Sequence, residues 1–195
     1  MEAENSSPSP DKAINIDYSL CKKTKPDPGD RNYAAHVKET PTSVSMDVVG
    51  TVKSPYQERH GTPRQPSRGD TEREAEIHLT VENAEHCIRG LEGFEFIWII
   101  AYMHLNTGWR PTIKPPRGDK KQGVFATRSP HRPSMLSLSA VRLVKVDHAK
   151  GILTVKGVDL LDNTPVMDIK PYVPYCDAFP DAKAGWIDEV KEEGH

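Results

Sequence analysis

The chain has 195 residues, of which 36% are hydrophobic and 28% are charged, and its formal net charge is -2. This length supports one domain with an appendage, and the charge excludes a globally basic nucleic-acid coat but not a basic patch. No stretch approaches the roughly 18 continuous apolar residues of a membrane span, and the N-terminus lacks the features of a secretory signal. Three widely spaced cysteines form no disulfide framework, and eight histidines show no metal-ligand spacing. We therefore expect a cytoplasmic protein without a membrane partner or a metal site.

Residues 1–45 are expected to form a disordered tail. They contain Ser-Pro-Ser-Pro, Lys-Pro-Asp-Pro-Gly and mixed charges, without a sustained apolar period. Apolar and polar residues alternate over residues 14–20, which leaves a short strand or docking segment open there. The ordered domain is predicted to span residues 46–190.

The remainder of the chain shows a succession of strand patterns. Asn83 and Gly90 are a plausible cap and stop for a short helical segment. Few helical patterns separate the strands, so a doubly wound nucleotide-binding sheet is disfavoured. The pattern predicts an all-β fold, a small barrel or sandwich with short helical turns and long loops. The predicted strands are residues 46–52, 74–81, 94–103, 123–127, 136–146 and 152–158.

A proline-stiffened loop over residues 61–66 is the first candidate site. It presents Arg64 and Gln65, a cation beside an amide that both donates and accepts hydrogen bonds. Such a pair can hold a carboxylate or the edge of a purine. An ordinary surface loop is the alternative.

A basic segment between Arg110 and Arg132 is the second candidate. It contains seven cations against one acid, Asp119. A local cationic patch on a slightly acidic protein is typical of a phosphate-rich partner such as RNA. A solvated charged loop is the alternative.

An acidic stretch is the third candidate. Asp159, Asp162 and Asp168 are expected at strand ends, near Lys170 and Tyr172. Closely spaced carboxylates in this setting can bind an amine, perturb one another's pKa or supply a general base. Turn-forming aspartates and a structural ion pair are the alternative.

Taken in order, these loops resemble the TsaA-like (YaeB, TrmO) family of S-adenosylmethionine-dependent tRNA adenine N-methyltransferases. The resemblance implies a small TsaA-like β-barrel that forms a homodimer and binds S-adenosylmethionine. It also implies N-methylation of the threonylcarbamoyl-modified adenosine next to the tRNA anticodon. The matching positions are residues 61–66, 90–94, 98, 104, 115–117, 123–133, 159–162 and 164–172.

The resemblance also implies a set of site residues. An acidic turn suits the ribose hydroxyls or the amino group of the methyl donor, and an arginine suits its carboxylate. Methyl transfer requires mainly in-line placement and a route for the proton, so three further residues are predicted to orient the substrate amine. These catalytic candidates are Asp168, Lys170 and Tyr172. The cofactor-binding candidates are Pro63, Arg64, Gln65, His104, Leu105, Arg128, Leu138, Asp159, Leu160, Leu161 and Asp162.

The sequence departs from the family in three places. Ser134, Met135, Leu136 and Ser137 stand where the family has Asn-Pro-Ile-Gly, which removes a fixed φ and a position that tolerates a positive φ. Two loops are shorter than in familiar bacterial members, and we expect their C-terminal domain to be absent because the sequence ends soon after Trp186. These changes keep two alternatives open: a methyltransferase acting on a small molecule, and a non-catalytic module that binds S-adenosylmethionine or RNA.

Overall fold

The computed structural model describes residues 42–66 and 73–190. Most of the predicted tail, including residues 14–20, lies outside the described residues. The chain divides into two units, residues 1–47 and 48–195, and every element below belongs to the second.

Six strands of the second unit form a closed antiparallel barrel, with the order β1-β2-β7-β6-β3-β8. A separate two-stranded sheet pairs β4 with β5. The strands are β1 Gly50–Lys53, β2 Glu74–Leu79, β3 Phe96–Tyr102, β4 Thr112–Ile113, β5 Gln122–Gly123, β6 Leu136–Asp147, β7 Ile152–Lys156 and β8 Pro165–Pro171. The helices are α1 Ala84–Cys87 and α2 Pro174–Asp177, with 3-10 turns at Leu91–Gly93, Val124–Ala126 and Gly185–Ile187.

The all-β prediction is confirmed. The predicted strands over residues 136–146 and 152–158 correspond to β6 and β7, which pair as a hairpin across the turn at residues 148–151, with a register shift between Leu143 and Lys145. The predicted strand over residues 123–127 is wrong: β5 ends at Gly123, and a 3-10 turn follows. Asn83 stands before α1 but makes no capping hydrogen bond through its side chain.

Alternating side chains fill the barrel. On β3 the odd-numbered residues Ile97, Ile99 and Ala101 are fully buried, while the even-numbered ones are half-exposed. This period of two places one face of each strand in the core and the other outside. Val141 of β6 and Leu153 of β7 complete the same interior cluster.

The antiparallel order assigns every connection to one of two rims. Strands β1, β3 and β7 end at the rim where β2, β6 and β8 begin, as the paired registers require. We call this rim the loop end; among the described residues it bears 54–66, 73, 103–135 and 157–164. The opposite rim, the hairpin end, bears residues 80–95 and the turn at 148–151.

Candidate functional site

Three connections converge at the loop end through Arg128. The Arg128 guanidinium donates from Nη1 to Gln65 Oε1 at 2.9 Å, which joins the loop after β3 to the loop after β1. The charge of Arg128 also acts on Asp159, in the connection after β7. Residues distant in sequence therefore form one polar cluster, which we call the Arg128 cluster: Gln65, Arg128, Ser139 and Asp159.

Asp159 lies where the barrel interior opens to the loop end. Ser139 Oγ donates to Asp159 Oδ1 at 2.6 Å, and Ser139 is a core-facing residue of β6 with 1% of its surface exposed. Burial raises the pKa of the Asp159 carboxyl above its ordinary value of 3.8, although the Ser139 hydrogen bond and the Arg128 charge oppose this shift. The carboxyl is thus held by one buried hydroxyl and faces one cation.

The other predicted cofactor residues of the loops after β1 and β3 lie at the loop end as well. Arg64 is exposed, Pro63 is half-buried, and the Arg64 carbonyl accepts a hydrogen bond from Gln65 Nε2 at 2.8 Å. His104 and Leu105 are exposed immediately after β3. The loop end therefore carries two cations, an amide and an imidazole, and of these Arg128 acts directly on the half-buried Asp159.

Leu138 lies on the outside of the barrel. It is 55% exposed, and it pairs with Ile100 of β3 two residues from the start of β6. Its side chain therefore lies on the opposite face of β6 from Ser139.

The turn at residues 159–162 has several structural roles. Leu160 is 1% exposed and Leu161 packs against the core, so both side chains contribute to the packing of the barrel. Asp162 Oδ1 accepts the Ser54 backbone N–H at 3.1 Å, and the Asp162 backbone N–H donates to the Tyr56 carbonyl at 2.7 Å. Asp162 thus fixes the loop after β1 to this turn.

A groove of about 420 Å³ borders Asp162 but does not include the Arg128 cluster. Acidic side chains outnumber the single cation in its wall. The lining residues are Lys53, Ser54, Glu74, Ala75, Glu76, Thr154 and Asp162.

The three catalytic candidates follow β8 away from the loop end. Asp168 pairs with Ile100 and Lys170 with Trp98, so both lie on the outer face. Lys170 Nζ and Asp168 Oδ2 form an ion pair at 3.0 Å. The expectation that Asp168 lies at a strand end is wrong, because β8 extends from Pro165 to Pro171. Asp168 is the nearest of the three to the loop end.

Tyr172 belongs to an aromatic cluster on the same outer face. Its ring centroid lies 5.4 Å from that of Trp98 and 6.2 Å from that of Phe96. Asp177 Oδ2 accepts the Val173 backbone N–H at 2.8 Å and the Trp98 indole N–H at 3.0 Å, and these two hydrogen bonds hold the pKa of Asp177 below its ordinary value. Tyr172 is therefore packed near α2, at a distance along β8 from the Arg128 cluster.

The basic segment forms much of the loop after β3. Lys120 and Lys121 are exposed between β4 and β5. Arg132 instead folds back, with Nη1 donating to the Thr127 carbonyl at 3.1 Å. Together with the bond from Arg128 to Gln65, this divides the segment into cations turned toward the protein and cations facing solvent.

Two residues of this region were not anticipated from sequence. Ser139 is a polar residue at an inward position of β6. It lies two residues before the buried Val141, so the alternation of the strand could have identified it as inward-facing. Trp186 donates from Nε1 to the Ala126 carbonyl at 2.7 Å, and no local pattern indicates that long-range contact.

Within the described ranges, no group of three or more His, Cys, Asp or Glu side chains is arranged to hold a metal ion. The same part of the chain contains no helix long and apolar enough to cross a bilayer.

Comparison with known proteins identifies the family. Residues 51–178 match the tRNA-methyltransferase O N-terminal domain. The chain is 41% identical over 152 residues to the tRNA (adenine(37)-N6)-methyltransferase of Escherichia coli strain K12, covering 74% of this chain and 64% of that protein. It is 38% identical over 169 residues to the putative S-adenosylmethionine-dependent methyltransferase RcsF of Pseudomonas aeruginosa, covering 78% and 70%.

The fold agrees with these matches. The crystal structure of TrmO from Pseudomonas aeruginosa superposes with a TM-score of 0.61 at 34% identity, over 75% of this chain and 63% of that one. This chain therefore spans just under two thirds of the length of the Escherichia coli relative and of the crystallised protein. The chain belongs to the family of tRNA-methyltransferase O N-terminal domains.

Proposed function

We propose that this domain is an S-adenosylmethionine-dependent N-methyltransferase acting on threonylcarbamoyl-modified adenosine next to the tRNA anticodon. The observation that supports it best is the Arg128 cluster, where three connections meet around a half-buried carboxylate. The names of the Escherichia coli and Pseudomonas relatives indicate the same activity class and methyl donor.

The residues at the loop end fit the chemistry of S-adenosylmethionine. Its carboxylate suits Arg64 or Arg128, because guanidinium groups donate in a planar fork. Its amino group or ribose hydroxyls suit the Asp159 carboxylate, which Ser139 fixes in orientation. The bound cofactor would supply an electrophilic methyl group on a sulfonium.

The protein's own part is placement and proton handling. An N-nucleophile needs to lie in line with the methyl group and to lose a proton. Asp168, Lys170 and Tyr172 are proposed to orient the substrate amine, with Asp168 the best placed because it lies closest to the loop end. The ion pair between Asp168 and Lys170 is compatible with this role, since it orients the carboxylate.

The basic segment is the proposed tRNA contact. Exposed lysines such as Lys120 and Lys121 suit phosphate oxygens, while Arg128 is turned toward the cofactor residues. A homodimer belongs to the same proposal and rests on the family resemblance, and a cytoplasmic location rests on the three widely spaced cysteines, which suit a reducing compartment. Light scattering of the purified chain tests the dimer.

Methyl transfer from labelled S-adenosylmethionine tests the activity. The full chain is incubated with tRNA that has the threonylcarbamoyl group and with tRNA that lacks it. We expect incorporation only into the former, and nucleoside mass spectrometry should place one methyl group on the modified adenosine. Cofactor binding without incorporation would instead indicate a non-catalytic module.

A small-molecule substrate is the second candidate. The observation that favours it is the changed loop at residues 134–137, where Met135 has a φ of 51° that few non-glycine residues adopt. Turnover of a small amine in place of tRNA would support this alternative.

A further inference from the structure

We propose that Phe125 is a stacking platform for an unpaired base of the RNA substrate, an inference that rests on the proposed function. Phe125 is 77% exposed in the middle of the 3-10 turn Val124–Ala126, between Arg110 and Arg132. Burial of a phenyl side chain is favourable, so one left in solvent contributes little to folding. An isolated exposed Phe is common, and the case for a ligand depends on its surroundings.

Hydrogen bonds that do not involve the Phe125 ring fix the backbone of this turn. Val124 is buried, and its backbone N–H donates to the Pro111 carbonyl at 2.9 Å. The Val124 carbonyl accepts from Thr127 Oγ1 at 2.9 Å, and the Ala126 carbonyl accepts from the Trp186 indole at 2.7 Å. A ring on a fixed backbone loses little conformational freedom on binding, which favours a preformed contact.

The charges around Phe125 indicate the chemistry of its partner. The Arg132 guanidinium lies over the ring, 5.9 Å from its centroid, while the exposed Lys120 and Lys121 are the cations of the same segment that face solvent. Cations that contact phosphate, combined with an aromatic face, are the usual means of binding single-stranded nucleic acid. Bases inside a duplex already stack on their neighbours, so the ring suits a base that is unpaired.

RNA binding by Phe125 variants tests this inference. Fluorescence anisotropy is measured with an anticodon stem–loop RNA and with a fully paired RNA of the same length. We expect Phe125→Ala to weaken stem–loop binding by about tenfold or more, to affect the paired RNA little, and to leave S-adenosylmethionine binding unchanged. Phe125→Trp should restore stem–loop binding, because it keeps an aromatic face.

Phe179→Ala is the matched control, since Phe179 is 72% exposed outside the basic segment. It should bind both RNAs like the wild type. Unchanged stem–loop binding by Phe125→Ala, in a wild type that methylates tRNA, would overturn this inference alone. An equal loss on both RNAs, or a change in oligomeric mass, would also overturn it. A wild type that neither binds nor methylates tRNA would overturn the proposed function as well.

Discussion

The two ends of the barrel are built differently. At the hairpin end the turn at residues 148–151 is short, and Gly151 has a φ of 64° with the Ala84 Cβ only 3.1 Å from where its own Cβ would stand. At the loop end, residues 103–135 make one connection that includes seven cations, and one of them, the exposed Arg128, acts on the half-buried Asp159 of the connection after β7. Close packing at one end thus coexists with polar groups at the other, and we assign folding to the first and ligand binding to the second.

The largest expected effect concerns the cofactor. Asp159→Ala and Arg128→Ala should each weaken S-adenosylmethionine binding by about 1.5–3 kcal/mol, the usual loss for a charged hydrogen bond. Calorimetry measures the affinity, and Glu92→Ala is the matched acid at the hairpin end. Equal affinity in all three variants and the wild type would contradict a cofactor site at the loop end.

The next prediction tests the assignment of folding to the hairpin end, through the effect of a glycine substitution on the free energy of unfolding. A Cβ at Gly50 would lie 2.7 Å from the His78 carbonyl oxygen, so β1 and β2 would have to separate. Gly50→Ala should lower the free energy of unfolding by about 1–3 kcal/mol. A Cβ at Gly123, at the loop end, would have no atom within 4 Å, so Gly123→Ala should change the free energy of unfolding by less than about 0.5 kcal/mol. Urea denaturation compares the two, and similar losses would contradict the division.

The solvent-facing cations allow a finer test. Replacing Lys120 and Lys121 by Ala should reduce the slope of log affinity for tRNA against log salt by about 1.4–1.8, or roughly 0.7–0.9 per phosphate. S-adenosylmethionine affinity should stay at the wild-type value, because neither lysine belongs to the Arg128 cluster. The Lys150→Ala variant at the hairpin end is the control. An unchanged slope would mean that phosphates bind elsewhere.

Asp159 should also affect the pH dependence of folding. Its pKa is raised by burial in the folded chain, so the unfolded chain releases this proton first as the pH rises. The contribution of Asp159 to the free energy of unfolding is therefore complete below a pH of about 3.8, the ordinary pKa of the group. It is lost as the pH rises through the higher pKa of the folded chain. The Asp159→Asn variant should lose less stability than the wild type as the pH rises through this range, and it should be more stable than the wild type near neutral pH. Parallel pH profiles of the unfolding free energy in both proteins would contradict this.

Local patterns predicted five of the six barrel strands, but they missed β8 and were insufficient for the site. The alternation in β2 and β6 reports burial directly, so both strands and the β6–β7 hairpin were predictable. The turn at Val124–Ala126 was predicted as a strand because an apolar run of this length is also typical of a strand.

The positions of the site residues depend on long-range pairing. The register of β8 against β3 places Asp168 on the outer face, and no local pattern contains that register. The contact of Ser139 with Asp159 likewise depends on where β7 ends beside β6. Only the family resemblance brought the three loops together before the structure did.

The smallest expected effect comes from the contact between the C-terminal residues and the loop end. Trp186→Phe removes the indole hydrogen bond to the Ala126 carbonyl, which should lower stability by about 0.5–1 kcal/mol because the bond is exposed. The turn that presents Phe125 loses one of its fixed points, so stem–loop affinity should fall severalfold while cofactor affinity stays constant. Trp98→Phe is the matched control, since it removes the indole bond to Asp177, away from that turn. If both variants lower RNA affinity equally, the effect belongs to the C-terminal residues as a whole, and Trp186 does not position Phe125.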